Sequence, residues 1–217
     1  MIKTHIEKTS IFPPAAVRFP GTAVPFKEAK TEVIRKSIHF LIALCPGMAA
    51  VNYNFTVLVL LTGILCYSVM EFFRLSGVKV PLVSVLTGLS SRPRDMGRFV
   101  MGPVTLGTGA LFALLLFPAP VACIAIFALA FGDGFAGLAG KLFGKIRPAA
   151  LFGKSVEGSL ACFAATYFSV YLVSNNYAVS MTAAVTATAV EALPLEDYDN
   201  ILLPLVVGLT VQLALTR

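Results

Sequence analysis

The stretch Phe99–Gly132, FVMGPVTLGTGALFALLLFPAPVACIAIFALAFG, contains no Asp, Glu, Lys or Arg. A turn-like tract, Pro118-Ala119-Pro120, lies near its middle. An uncharged apolar run of this length needs a protein core or lipid around it, and its turn divides it into two helix-length halves. We therefore interpret the stretch as a helical hairpin that crosses a membrane twice.

Two other blocks repeat this pattern. Ser37–Met70 and Gly158–Val190 also lack Asp, Glu, Lys and Arg, and Asn52-Tyr53-Asn54 and Ser174-Asn175-Asn176 divide them. A last apolar run, Ile201–Leu215, adds one more crossing. The sequence thus predicts an all-α, polytopic integral membrane protein, a bundle of about seven transmembrane helices.

The composition of the 217 residues also indicates a membrane protein: 57% are hydrophobic and 13% are charged, and the mean hydropathy is +0.84. The 17 basic residues lie outside the uncharged blocks, where the positive-inside rule places them in cytoplasmic loops. We expect anionic lipid headgroups, and not nucleic acid, as their partners. The N-terminus is expected in the cytoplasm, with the chain in a bacterial inner membrane or an ER-type membrane.

The predicted domain organisation is simple. Residues 1–33 are polar, contain four prolines and have no signal-peptide pattern, so they are interpreted as a soluble lead-in. Residues 34–217 are predicted to form a single transmembrane catalytic domain. Within it, Val78–Leu89 is short and apolar, which favours an interfacial or re-entrant helix.

Asp133 is the most unusual charge in the chain. Each hairpin leg has roughly 15 uncharged residues, or about 22 Å of helix, against a hydrocarbon thickness of about 30 Å. The helices must therefore continue into charged sequence, which places Asp133 below the headgroups at a cost of about 2–4 kcal/mol unless it is paired, hydrated or bound to an ion. Long side chains such as Lys36 can snorkel, but the short, glycine-flanked Asp133 cannot.

The segment Gly132–Lys141, GDGFAGLAGK, has two interpretations. Its small residues can form a helix-packing stripe. Alternatively, Gly137 leaves the backbone open to a ligand, while Asp133 binds a metal and Lys141 a phosphate.

The stretch Gly153-Lys154-Ser155 follows a basic loop that contains Lys145, and it precedes a helix. A helix N-terminus beside a lysine favours anion binding. A Walker nucleotide fold is excluded because the pattern lacks its first glycine and no strand precedes it. Glu157 is either a capping carboxylate or a second magnesium ligand opposite Asp133.

Two further groups flank this region in the chain. Lys36 and His39 are one helical turn apart. They are either ordinary interfacial residues, or a phosphate clamp in which the imidazole accepts a proton. The last loop, Glu191–Asn200, has four acids and no Lys or Arg. These acids either balance the basic loop or bind Mg²⁺, with Glu191 and Asp199 nearest the membrane.

Together the segments RKxxH, GDxxAxxxGKxxGK, GKSxEGS and ExLPxxxxDN resemble the CTP-dependent lipid kinase family. That family includes dolichol kinase, phytol kinase and the yeast-type diacylglycerol kinase, and it is grouped with phosphatidate cytidylyltransferases. The resemblance covers roughly residues 35–215. The cytidylyltransferase signature, a Lys-Arg-x4-Lys-Asp run with a His-Gly-Gly near the carboxyl end, is absent, which favours the kinase branch.

The resemblance implies transfer of the γ-phosphate of CTP to a membrane alcohol, namely a polyprenol, a phytol-like alcohol or diacylglycerol, on the cytoplasmic side. Mg²⁺ is the implied cofactor. The implied metal ligands are Asp133 and Glu157, with Glu191 and Asp199 as further ligands. The implied phosphate-binding residues are Lys36, Gly137, Lys141, Lys145, Gly153, Lys154 and Ser155. The implied catalytic residues are Asp133, Lys154 and, as a base, His39.

Two other functions are weighed against the kinase. A phosphatidate cytidylyltransferase would use the same CTP and Mg²⁺ but release pyrophosphate. A transporter of small solutes or ions can also bury acids in broken helices, although no sequence repeat relates the three hairpins.

Overall fold

The computed structural model describes residues 26–216 except 79, 82, 83, 86, 88–94 and 96. Helices dominate this part of the chain, and no strand occurs in it. Residues 1–25 of the predicted lead-in lie outside the described residues, as does half of the predicted interfacial helix Val78–Leu89. The first helix begins at Phe26, so the last residues of the predicted lead-in are already helical.

The helices have the following bounds: α1 Phe26–Phe40, α2 Cys45–Val51, α3 Tyr53–Leu75, α4 Gly102–Leu116, α5 Ala119–Phe127, α6 Gly134–Leu142, α7 Val156–Ser174, α8 Tyr177–Glu191 and α9 Asp199–Leu215. A 3-10 turn, Leu41–Leu44, joins α1 to α2, and a π-helix, Ala128–Asp133, joins α5 to α6. The described helices therefore form seven continuous rods.

The predicted turns divide the hairpins as expected. Asn52 caps α3, with Oδ1 accepting a hydrogen bond from the N–H of Phe55 at 3.0 Å. Asn176 caps α8 in the same way, through the N–H of Val179 at 3.2 Å. Asparagine is a favoured N-cap because its side chain satisfies an N–H that the helix leaves unpaired. The helical hairpins are confirmed.

Four rods in the described part are long and apolar enough to cross a membrane: Ala29–Val51, Tyr53–Leu75, Ala119–Leu142 and Val156–Ser174. Gly102–Leu116 and Asp199–Leu215 are apolar but shorter. The chain is thus a helical membrane protein, whereas the full set of seven crossings stays a prediction.

The rods pack side by side in a ring, which closes where α2, the continuation of α1, packs on α3. Helix α3 packs on α4, α4 on α9, α9 on α8, α8 on α7, α7 on α6 and α6 on α1. The rod of α5, the π-helix and α6 runs through the centre, where Ile126 and Leu129 are fully buried. Helix α3 exposes a large apolar face that includes Phe55, Leu58 and Leu65, as expected of a helix in contact with lipid.

This packing brings the loop between α6 and α7 and the loop between α8 and α9 to one end of the bundle, where Lys154 and Glu191 form an ion pair. We expect both loops to face the cytoplasm and the Ser174 turn to face outward. After the four native cysteines are replaced, a cysteine at Ser174 should react with an impermeant maleimide on intact cells, and cysteines at Lys145 and Asp197 should not. Labelling of Asp197 but not Lys145 from outside would contradict the fold.

Candidate active site

A cavity of about 480 Å³ lies at this end of the bundle, a volume typical of small-molecule sites. Its walls come from α1, α6, the loop before α7, and the region where α8 leads into α9. The lining residues are Glu32, Arg35, Lys36, Asp133, Ala136, Gly137, Gly140, Lys141, Arg147, Phe152, Gly153, Lys154, Ser155, Gly158, Glu191, Pro194, Glu196, Asp199 and Asn200.

Most of the predicted site residues meet in this cavity although they are far apart in sequence. Those present are Lys36, Asp133, Gly137, Lys141, Gly153, Lys154, Ser155, Glu191 and Asp199. Three predicted residues are not part of its lining, namely His39, Lys145 and Glu157.

Asp133 ends the π-helix and forms the floor of the cavity. Single π-turns inside α-helices are rare and are frequent at functional sites. Lys36 Nζ donates to Asp133 Oδ2 at 2.5 Å, and His39 Nε2 lies 3.3 Å from the same oxygen. Lys36 is only 2% exposed, so its ammonium depends on this carboxylate to offset the cost of burial.

His39 lies next to Asp133 but does not line the large cavity. Its Nε2 donates to the backbone carbonyl of Leu129 at 2.9 Å. Because Nε2 carries the proton, a neutral ring keeps its lone pair on Nδ1. His39 lines a second, smaller cavity, so the structure places the predicted base beside the predicted phosphate site and not inside it.

The glycines of the GDGFAGLAGK segment serve close packing. A β-carbon at Gly137 would overlap Cε of Lys36, so the lysine stem passes directly over this glycine on its way to Asp133. A β-carbon at Gly158 would come within 3.2 Å of the Cα of Gly140, which shows how closely α6 and α7 approach. The packing interpretation therefore applies to these glycines, while Gly137 and Gly140 also line the cavity.

Gly137→Ala is expected to displace Lys36 from Asp133, since the added methyl group occupies the path of the lysine stem. Overpacking of this kind typically costs about 1–3 kcal/mol. Gly63→Ala is the matched control, because a β-carbon at Gly63 meets nothing within 4 Å. Thermal unfolding in detergent should show a loss of stability for the first variant and none for the second. Equal midpoints would contradict this placement of Lys36.

Lys154 and Glu191 form the opposite wall. Lys154 Nζ donates to the backbone carbonyl of Glu191 and lies 3.1 Å from its Oε1. Ser159 Oγ donates to Oε2 of the same carboxylate at 3.4 Å. These contacts join the start of α7 to the end of α8 and hold one lysine and one carboxylate at the rim of the cavity.

Two arginines that the sequence interpretation did not assign to the site also line it. Arg147 donates to the backbone carbonyls of Gly153 at 2.6 Å and Gly140 at 2.7 Å, which folds the basic loop over the end of α6. Arg35 donates to Glu32 at 2.5 Å and lines both cavities. The sequence features that point to these arginines are the basic loop, which contains Arg147, and the RKxxH segment, which begins with Arg35.

The structure does not bring Glu157 to Asp133. Glu157 Oε1 accepts hydrogen bonds from the N–H groups of Lys145 at 3.0 Å and Ile146 at 3.2 Å, so it fixes the basic loop. The reason is helical geometry: Ser155 and Gly158 face the cavity, and at about 100° per residue Glu157 points away from both. Lys145 itself is exposed.

The cavity offers carboxylates that suit Mg²⁺, although it does not hold a complete ligand set. Asp133 uses Oδ2 for both of its ionic contacts, and its Oδ1 makes no hydrogen bond with a described residue. Asp199 also makes none within the described chain. No group of three His, Cys, Asp or Glu side chains in that part converges on one point. Mg²⁺ commonly takes one or two carboxylates and completes its shell with phosphates and water, which fits this arrangement.

The charges that line the cavity are mixed. Of the described residues that line it, five are basic and five are acidic, namely Arg35, Lys36, Lys141, Arg147 and Lys154 against Glu32, Asp133, Glu191, Glu196 and Asp199. A simple anion gains little from such a balanced lining. A metal–phosphate complex carries both signs and can be contacted by both sets.

Comparisons with known proteins give two relatives. The chain is 25% identical over 184 residues to an uncharacterized protein of Methanocaldococcus jannaschii. This alignment covers 83% of this chain and 92% of that protein. It is 30% identical over 138 residues to CTP-dependent diacylglycerol kinase 1 of Eremothecium gossypii, covering 62% of this chain and 43% of the kinase. No family model and no solved structure matches the chain. The chain is therefore a helical membrane protein with a distant similarity to a CTP-dependent lipid kinase.

Proposed function

We propose that this protein is a CTP-dependent lipid kinase that transfers the γ-phosphate of CTP to the hydroxyl group of a membrane alcohol. The observation that carries the proposal is the cavity with its mixed lining. It holds lysines and arginines from separate segments together with Asp133, Glu191 and Asp199, and it lies at the ends of apolar helices. The distant similarity to a diacylglycerol kinase supports the same reaction.

The residues in the cavity match what phosphoryl transfer needs from a protein. The transferred group carries charge on several oxygens, so positioning and charge neutralisation provide most of the catalysis. Lys141, Lys154 and Lys36 line the cavity and would bind phosphate oxygens, Lys36 at the side of Asp133. Gly153 and Ser155 lead into α7, whose first N–H groups add to the positive potential.

Asp133 would hold Mg²⁺ together with one further carboxylate, Asp199 or Glu191, and phosphate oxygens and water would complete the shell. The ion would neutralise phosphate charge. Glu157 is left out of this set because its carboxylate is bonded to the basic loop. Lys36 pairs with Asp133, and Lys154 pairs with Glu191. The carboxylates of Asp133 and Glu191 are thus held in place before a ligand enters.

In the transfer step, the hydroxyl oxygen of the alcohol attacks the γ-phosphorus. The bond from that phosphorus to the β-phosphate oxygen breaks, and CDP leaves with the electron pair. The hydroxyl proton passes to Nδ1 of His39, whose Nε2 is occupied by the carbonyl of Leu129. Asp133, 3.3 Å from Nε2, stabilises the imidazolium that forms.

The nucleotide preference gives a direct test. Purified protein should phosphorylate at least one of polyprenol, phytol and diacylglycerol with CTP and Mg²⁺, and it should use ATP much less well. Phosphorylated lipid is measured by extraction and thin-layer chromatography, and CDP by liquid chromatography. Equal use of ATP would overturn the CTP assignment, and no consumption of CTP with any alcohol would overturn the kinase proposal.

A further inference from the structure

A second cavity, of about 60 Å³, lies next to the first. It is bounded by α1, the start of α4 and the start of α9. Among the described residues that line it, five are apolar or glycine, namely Ile38, Val100, Gly102, Pro103 and Leu106, and the other five are Arg35, His39, Asp95, Asp197 and Asn200. Its volume is enough for about two water-sized groups, so it can take the end of a chain but not a nucleotide.

The two cavities share a wall. Arg35 and Asn200 line both of them. Asp133 belongs to the larger cavity and His39 to the smaller one, and Oδ2 of the first lies 3.3 Å from Nε2 of the second. A group bound against Arg35 and Asn200 in the small cavity therefore lies at the boundary with the large cavity.

Helix α3 holds the apolar wall of the small cavity in place. Both backbone groups of Val100 are used: its N–H donates to Glu71 Oε1 at 2.9 Å, and its carbonyl accepts from Tyr67 O–H at 3.1 Å. Arg74, bonded to Glu71, also donates to the carbonyl of Arg98 at 3.1 Å. This hold fixes the chain just before α4 and, with it, the shape of the cavity that Val100, Gly102 and Pro103 line.

We propose that the small cavity binds the hydroxyl-bearing end of the acceptor alcohol, while the rest of the lipid stays in the bilayer. The inference rests on the proposed kinase function. Its apolar wall suits a hydrocarbon carbon next to the hydroxyl, and its polar wall of Arg35, His39 and Asn200 suits the hydroxyl itself. The ligand class is a primary alcohol on an apolar chain, whether one chain or two.

Gly102 allows a sharp test. A β-carbon there meets nothing within 4 Å, so its neighbours leave room for a larger side chain. Because Gly102 lines the small cavity, we expect that side chain to reduce the space for the alcohol. Gly63→Leu is the matched control, because Gly63 has equally open surroundings but lines neither cavity. Gly102→Leu should raise the KM for the alcohol at least about tenfold and leave the KM for CTP unchanged. Gly63→Leu should change neither.

The assays use phytol or a polyprenol in one arm and diacylglycerol in the other, which distinguishes single-chain from two-chain acceptors. A second measurement needs no turnover: an alcohol with a diazirine beside its hydroxyl is photocrosslinked to the wild-type protein, and labelled peptides are mapped. Labels should fall on residues 35–39 and 100–106.

The outcomes separate the two proposals. If the wild-type protein phosphorylates lipid but Gly102→Leu changes both KM values no more than Gly63→Leu does, the acceptor site is wrong and the kinase stands. Crosslinks confined to other segments would overturn the acceptor site in the same way, even if Gly102→Leu did not fold. A wild-type protein that phosphorylates no alcohol would overturn both.

Discussion

Asp133→Asn is expected to lower the rate of lipid phosphorylation by about 100- to 1,000-fold, the loss typical when one preorganised charged or polar group is removed from an active site. Asp133 is the carboxylate at the floor of the large cavity, it is in contact with Lys36 and His39, and its free Oδ1 is the proposed metal ligand. The rate is measured with labelled CTP at saturating alcohol. Near-wild-type activity of the purified variant would contradict the proposed site.

A control is needed because Asp133→Asn also leaves the ammonium of Lys36 buried without its partner, which can destabilise the fold. The double variant Lys36→Met/Asp133→Asn removes both charges and keeps similar side-chain volumes. It is expected to unfold near the wild-type midpoint and to remain inactive. Activity in this double variant would show that the pair serves only to stabilise the helices.

Glu71→Ala is expected to destabilise the protein by about 3 kcal/mol, as when one partner of a buried ion pair is removed. Glu71 is fully buried, and it accepts hydrogen bonds from Arg74 at 2.6 and 2.7 Å and from the N–H of Val100 at 2.9 Å. Its removal leaves the Val100 N–H without an acceptor and the guanidinium without its carboxylate.

The thermal unfolding midpoint in detergent measures this loss. Glu71→Gln should be intermediate, because the amide oxygen still accepts from Val100 while the charge is absent. An unchanged midpoint in Glu71→Ala would mean that α3 does not hold Val100 and Arg98. It would contradict the claim that α3 fixes the wall of the small cavity.

The helices were predictable because their signals are local. The uncharged blocks show where the apolar helices run, and Asn52, Pro118 and Asn176 mark the turns between them. The ion pair between Glu71 and Arg74 follows from the same local rule, because residues three apart share one helix face. Its further bonds to Val100 and Arg98 depend on how a distant segment packs, which helix periodicity does not encode.

The site was predictable in its membership but not in its geometry. Lys36 and Asp133 are 97 positions apart, and only the packing of α1 on α6 decides that they pair. The sequence left Glu157 as a capping carboxylate or a magnesium ligand, and the family resemblance implied the magnesium role. Its position on the helix turns it instead toward Lys145 and Ile146.

The most direct test of the central claim is the fate of the two ends of the CTP triphosphate. Parallel reactions contain the purified protein, Mg²⁺ and either phytol, a polyprenol, diacylglycerol or phosphatidate, with CTP labelled on the α- or the γ-phosphate. A kinase transfers only the γ label to an alcohol and leaves the α label in CDP. Transfer of the α label to phosphatidate, with release of pyrophosphate, would contradict this account and identify a cytidylyltransferase instead.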